Sequence, residues 1–196
     1  IAPEHKLRVI APDVGGGFGS KIYIYPEETV CVWASRKAGV PVKWTADRSE
    51  SFVTDAHARD HITTAKMAFD ADNKITAVKV ATKANFGAYM SLFSSSVPTY
   101  LYATLLSGQY VIPNIYCEVM GVYTNTVPVD AYRGAGRPEA SYVLERLMEK
   151  AGRQLGVDPA DLRRNNFIRE FPYQTPVIMA YDAGDFDTIM DAAQAA

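Results

Sequence analysis

The sequence predicts an α+β fold of mixed and antiparallel strands with packed helices, and three observations carry that reading. Alternating apolar residues run from His61 to Phe69 and from Ile75 to Asn85, the period that puts one face of a strand against a core. The separator Asp70-Ala71-Asp72-Asn73-Lys74 has the Asp/Asn chemistry of a tight turn, so the two runs read as an antiparallel hairpin. Helical stripes open after Pro26, Pro138 and Pro159, where proline suits the first helical position.

Length and composition set bounds. A chain of 196 residues is one domain or two small lobes, and 48% hydrophobic with 21% charged residues is ordinary for a globular protein. A net charge of −2 gives no electrostatic case for nucleic acid or an anionic membrane. No apolar run is long enough to span a bilayer. The sequence opens on Ile1-Ala2-Pro3 and closes on Ala195-Ala196 without start or stop signals, so residues 1–196 are expected to be part of a larger domain, cut at both ends. Cys31 and Cys117 are isolated and read as reduced core residues. His5, His57 and His61 form no zinc pattern, and no metal ligand is assigned.

In chain order, Leu7 to Ala11 reads as a strand closed by Pro12. Pro26-Glu27-Glu28 starts a helix with carboxylates at its positive end, and Val30, Trp33, Ala34 and Ala38 share one face before Gly39 stops it. Val40 to Thr45 follows as a strand, placed by Pro41 at its start or at an edge. A short helix or turn is expected in 47–57, then the hairpin, then a serine-rich loop at a buried edge over 85–96. Pro98 to Ser107 reads as a helix, and Ile115 to Thr126 as a strand with both faces apolar enough for burial. After Pro138, the stripe Ala140, Val143, Leu144, Leu147, Met148, Ala151 and Leu155 is a core-facing helix. Asp158 then caps a short helix, 171–183 is irregular, and a last helix runs from Asp185 to Ala193.

Two glycine-rich stretches carry the chemistry. In Asp13-Val14-Gly15-Gly16-Gly17-Phe18-Gly19-Ser20-Lys21 the backbone is free of Cβ atoms and able to turn its N–H groups toward an anion. A phosphate P-loop needs Gly-Lys-Ser/Thr, but Lys21 follows Ser20 and precedes Ile22. A dinucleotide fingerprint needs a third glycine opening a helix; Ser20 occupies that position, and Ile22 to Pro26 is a poor first turn. A Rossmann-like nucleotide module therefore stands second. The other stretch, Ala131-Tyr132-Arg133-Gly134-Ala135-Gly136-Arg137, places arginines beside a turn that ends at a helix N-terminus, a natural anion site.

Together, in this order and about a hundred residues apart, the two stretches resemble the large molybdopterin-binding subunit of the molybdenum hydroxylases, the xanthine dehydrogenase and aldehyde oxidase family. Ile112-Pro113-Asn114 and Leu162-Arg163-Arg164-Asn165-Asn166-Phe167 add to the likeness, which covers essentially the whole chain. The resemblance implies a molybdenum-pterin cofactor, as molybdopterin or its cytosine dinucleotide form. Its binding residues would be Gly16, Gly17, Phe18 and Gly19 from one loop and Arg133, Gly134 and Ala135 from the other. It further implies 2Fe-2S and FAD groups on other domains or subunits as partners, and hydroxylation of an aldehyde or N-heterocycle with oxygen from water. The catalytic glutamate of the family would lie outside this chain, so the piece alone is expected to be inactive. A cytoplasmic location is expected, with export of the parent enzyme as the alternative.

Departures from the family pattern narrow the substrate. Carbon monoxide dehydrogenases of the family carry a copper-binding cysteine where this chain has Gly134, so carbon monoxide is not the expected substrate. Ile22 and Leu101 stand where purine oxidisers carry charges, and Ala135 stands where they stack a phenylalanine. A catalytically dead interaction domain of the same fold is the remaining alternative.

Overall fold

The computed structural model describes residues 2–196. Its centre is a three-stranded sheet of β1 (His61–Phe69), β2 (Ile75–Gly87) and β3 (Ile115–Tyr123), in the order β1-β2-β3. β1 and β2 form the expected antiparallel hairpin, while β2 and β3 are parallel. The hairpin turn is built by Asp70, whose carboxylate accepts from the Asp72 and Lys74 amides at 3.0 and 2.8 Å, and Asn73 takes the left-handed conformation at φ 60°. A parallel return needs a crossover, and residues 88–114 supply it.

The core forms where that crossover and the helices cover one face of the sheet. Val78 and Val80 of β2 pack with Tyr102, Leu106, Tyr110 and Ile112 of the crossover. Helix α3 (Arg137–Leu155) adds Ala140, Leu144, Met148 and Ala151 at helical spacing, and α4 (Pro159–Asn166) adds Leu162. Asp158 caps α4 as expected, accepting from the Ala160 and Asp161 amides. The irregular stretch contains a small hairpin, β4 (Tyr173–Gln174) with β5 (Ala180–Tyr181), before α5 (Phe186–Ala195).

N-terminal to the sheet the outcome is different. Helix α1 (Pro26–Ala38) forms with Gly39 at φ 70° as its stop, and α2 (Arg48–Thr54) forms behind Asp47. Yet no residue of α1 is buried, and Val30 and Trp33, expected to face a core, are 56% and 51% exposed. The segments 7–11 and 40–45, expected as strands, carry no ladder hydrogen bonds among the described residues. A strand exists only by pairing, and among the described residues neither segment pairs with another strand.

Two further expectations are corrected. Helical structure in the crossover is shorter than expected: a π-type turn, Val97–Leu101, in which the Leu101 amide reaches the Ser96 carbonyl at 2.9 Å, runs on only through residue 103 before giving way to turns. Gly136 packs against it, so closely that a Cβ there would fall 2.7 Å from the Tyr102 amide nitrogen and 2.9 Å from the Val97 carbonyl oxygen. β3 is buried on one face only: Ile115, Cys117 and Val119 pack on the core, while Tyr116 and Met120 are exposed because no layer covers the opposite face. Cys31 and Cys117 are both free thiols and both partly buried.

Candidate functional site

The two glycine-rich stretches meet in space. The Arg133 amide donates to the Phe18 carbonyl at 2.9 Å, and the Arg133 guanidinium lies over the Phe18 ring at 5.5 Å. Gly19 sits so close to the second loop that a Cβ there would fall 2.2 Å from the Ala131 carbonyl oxygen. Its φ of 100° adds a second reason for glycine. Phe18 itself is left-handed, at φ 50°, and its ring folds back over Gly16. Such a conformation in a bulky aromatic marks a constrained loop.

The remaining assigned residues fall around this contact. Gly17 has room: a Cβ would meet only the Lys21 side chain, at 3.6 Å. Gly134, at φ 109°, backs onto the Pro138 ring and the Arg59 guanidinium, and Ala135 at φ 43° completes the turn into α3. Thus Phe18 touches Arg133, and Gly19 touches Ala131 and Tyr132. Gly134 and Ala135 lie one step behind, bracing the loop rather than touching its partner.

Three residues that the sequence reading passed over hold the loops in place. Asp130, fully buried, accepts from the Phe93 and Ala131 amides and so fixes the chain just before Tyr132. Arg59, itself left-handed, donates to the Arg133 carbonyl and stacks on the Tyr132 ring at 4.9 Å. Asp55 accepts from the Tyr23 hydroxyl at 2.7 Å, and the Tyr25 hydroxyl directs its one proton at Asp55 with the Ser20 carbonyl as a second acceptor 3.0 Å away. Burial first, and the neighbouring carboxylate second, hold the Tyr25 phenol above its ordinary range; burial likewise raises Tyr23. Both phenols therefore remain donors at any physiological pH. Most of these contacts join positions thirty or more apart in the chain, and no local pattern announces them.

What can this arrangement bind? The Arg133 guanidinium pairs with no carboxylate among the described residues, so its charge is available to an anion. Gly15 and Gly17 present open backbone, while the Phe18 ring, half exposed, lies over Gly16 and Gly19 packs on the second loop. The site is one wall rather than a closed cavity: an uncommitted cation, open backbone and an apolar ring, held rigidly from behind. A planar, anionic, partly apolar ligand fits that donor set, and a bare metal ion does not.

Comparison with known proteins points the same way. Residues 2–167 match the family model of the molybdopterin cofactor-binding domain. The large chain of a carbon monoxide dehydrogenase from Hydrogenophaga pseudoflava is 41% identical over 193 residues, which are 96% of this chain and 24% of that one. The large subunit of nicotine 6-hydroxylase from Paenarthrobacter nicotinovorans is 35% identical, over 97% of this chain and 24% of its own. Among solved structures, quinoline 2-oxidoreductase from Pseudomonas putida 86 superposes with a TM-score of 0.88 at 33% identity, covering 94% of this chain and 24% of the other. The chain thus spans about a quarter of the length of these relatives.

Proposed function

The chain belongs to the molybdopterin cofactor-binding domain family, and on that premise we propose that it supplies one wall of the cofactor site in the large subunit of a molybdenum hydroxylase. The observation that carries the proposal is the direct contact of the two loops through the Arg133 amide and the Phe18 carbonyl. When bound, the molybdenum–pterin group supplies a two-electron oxidation with oxygen drawn from water. The chain's own residues bind and orient it. The backbone at Gly16, Gly17 and Gly19 donates N–H groups, and Arg133, with the backbone of Gly134 and Ala135 behind it, neutralises negative charge from the facing loop. Phe18 shields that contact from water. The proton-transferring glutamate, the iron–sulfur and flavin partners, and the opposite wall belong in this proposal to parts of the enzyme beyond these residues.

For the substrate we propose an aldehyde or N-heterocycle rather than carbon monoxide. A side chain at position 134 would start 2.6 Å from the Pro138 ring on a backbone at φ 109°, so a thiol ligand has no place there. Relatives named for nicotine and quinoline are in keeping with this choice and the carbon monoxide dehydrogenase large chain, at 41% identity, is not, so the choice rests on position 134. A cytoplasmic location is part of the same proposal. The Rossmann reading loses its footing, since the glycine stretch runs into residues 22–25 and not into a helix.

Gly17→Val in the full enzyme tests the assignment. The chain has space for the new side chain, so folding should be unaffected while the path to the backbone is blocked. The expected result is loss of most bound molybdenum and pterin, measured by elemental analysis and pterin fluorescence, with an unchanged melting temperature. Unchanged molybdenum content would refute the site.

A further inference from the structure

We propose that the groove between the free edge of β1 and the flank of α3 takes an extended, carboxylate-bearing segment of the parent subunit from outside these residues, added to the sheet as a fourth strand beside β1. The groove adjoins the back of the cofactor wall, where Arg59 and Pro138 line it, but its test reads the β1 amides and not the cofactor, so the two readings can fail separately.

β1 is paired on one side only, by β2, and runs for nine residues without proline or bulge until its last position. In an antiparallel pair alternate amides point away from the partner, so the outer edge offers a row of unmet donors and acceptors. Such an edge is the ordinary template for strand addition. Beside it lies a cavity of about 830 Å³, lined by His61, Thr63 and Ala65 of β1 and by Tyr142, Arg146 and Lys150 of α3. The α3 residues follow helical spacing, on a stripe next to the buried one. A strand placed beside β1 would slide its inner side chains beneath that stripe.

Charge selects the occupant. Of the two carboxylates in the groove, Glu149 is committed to Arg153 at 2.8 Å and to Arg163 at 3.6 Å. Arg146 and Lys150 have no carboxylate partner among the described residues. The other carboxylate, Glu139, sits at the N-terminal end of α3, away from Arg146 and Lys150, and keeps one oxygen buried. The relatives are about four times as long as this chain, so the same polypeptide has ample length to provide the segment.

Hydrogen exchange on the full-length subunit tests this. The outward amides of β1 are expected to exchange at least ~100-fold more slowly than unstructured amides. In the double variant Arg146→Glu/Lys150→Glu that protection should fall at least ~10-fold, while β2 and β3 keep theirs. Unprotected outward amides in the wild-type subunit would overturn the proposal. So would protection that survives charge reversal, since the occupant would then not be held by carboxylates. Protection that disappears on dilution or on removal of the other subunits would assign the groove to a separate chain and also reject the proposal.

Discussion

At the residue scale the site depends on where the backbone, rather than a side chain, must be. Gly19 and Gly17 make the contrast. Gly19→Ala puts a Cβ against the Ala131 carbonyl and forces a non-glycine residue to φ 100°. It should destabilise the fold by at least about 2 kcal/mol and part the two loops, as read by urea unfolding. Gly17→Ala should change stability by less than about 0.5 kcal/mol, because the added methyl meets only ordinary contact. His61 offers a pH test. Burial lowers its pKa, partly offset by Glu139 and Asp60, while its ring packs edge-on against Tyr102 at 5.1 Å. Above the unfolded value of about 6.5 both states are neutral and the residue contributes nothing to pH dependence. As pH falls through that value the unfolded chain takes up the proton first, so stability drops. His61→Phe keeps the ring and removes the proton site; the fall in melting temperature between about pH 7.5 and about pH 5.5 should narrow. An unchanged fall would show that other groups govern it.

At the element scale, the legible parts of the sequence were those whose signals are local. The hairpin turn and the Asp158 cap sit within a few residues and formed as read; the α3 stripe formed at Ala140, Val143, Leu144, Met148 and Ala151, while Leu155, in the last turn, is 43% exposed. Segments 7–11 and 40–45 have strand composition but pair with no strand among the described residues, and composition does not reveal whether a neighbour exists. The same holds for Asp55, Arg59 and Asp130, whose roles come from contacts formed only after folding. The two glycine motifs were legible because they are chemical statements in themselves, but their mutual contact was an inference from resemblance. The seam between α3 and α4 is another long-range arrangement. Glu145 accepts from the buried Tyr110 hydroxyl at 2.7 Å and from the Arg163 Nε at 2.8 Å, and burial pushes the Tyr110 phenol well above its usual range. Glu145→Ala strands that hydroxyl and leaves the largely buried Arg163 guanidinium with Glu149, at 3.6 Å, as its carboxylate partner. The loss should be about 1–2 kcal/mol, held to the lower part of the range by partial exposure of the carboxylate. Glu145→Gln, which keeps an acceptor for the hydroxyl, should recover a measurable part of it. Equal losses in both variants would mean the charge, not the hydrogen bond, holds the seam.

At the scale of the whole molecule, stability is divided unevenly. Nearly every buried side chain belongs to the sheet, the crossover, α3 or α4, while residues 2–56 contribute no buried residue. That N-terminal part displays apolar side chains instead, with Val9 93% and Ile24 77% exposed, and is moored to the rest through the Arg133 amide on the Phe18 carbonyl and the packing of Gly19 on Ala131. A region with so little burial opens at a small free-energy cost, so it should yield to a protease before the core does. Dilute thermolysin is expected to cut first within 7–14 and 39–46, leaving a resistant product that begins ahead of β1 and retains α3 and α4. The exposed apolar surface should also bind a hydrophobic dye, and binding should fall when the same residues are embedded in the full-length subunit. Early cuts inside β2 or α3 would mean that the core draws its stability from the N-terminal part, and that the two loops fold as one cooperative unit instead of a rigid wall with a loosely held face.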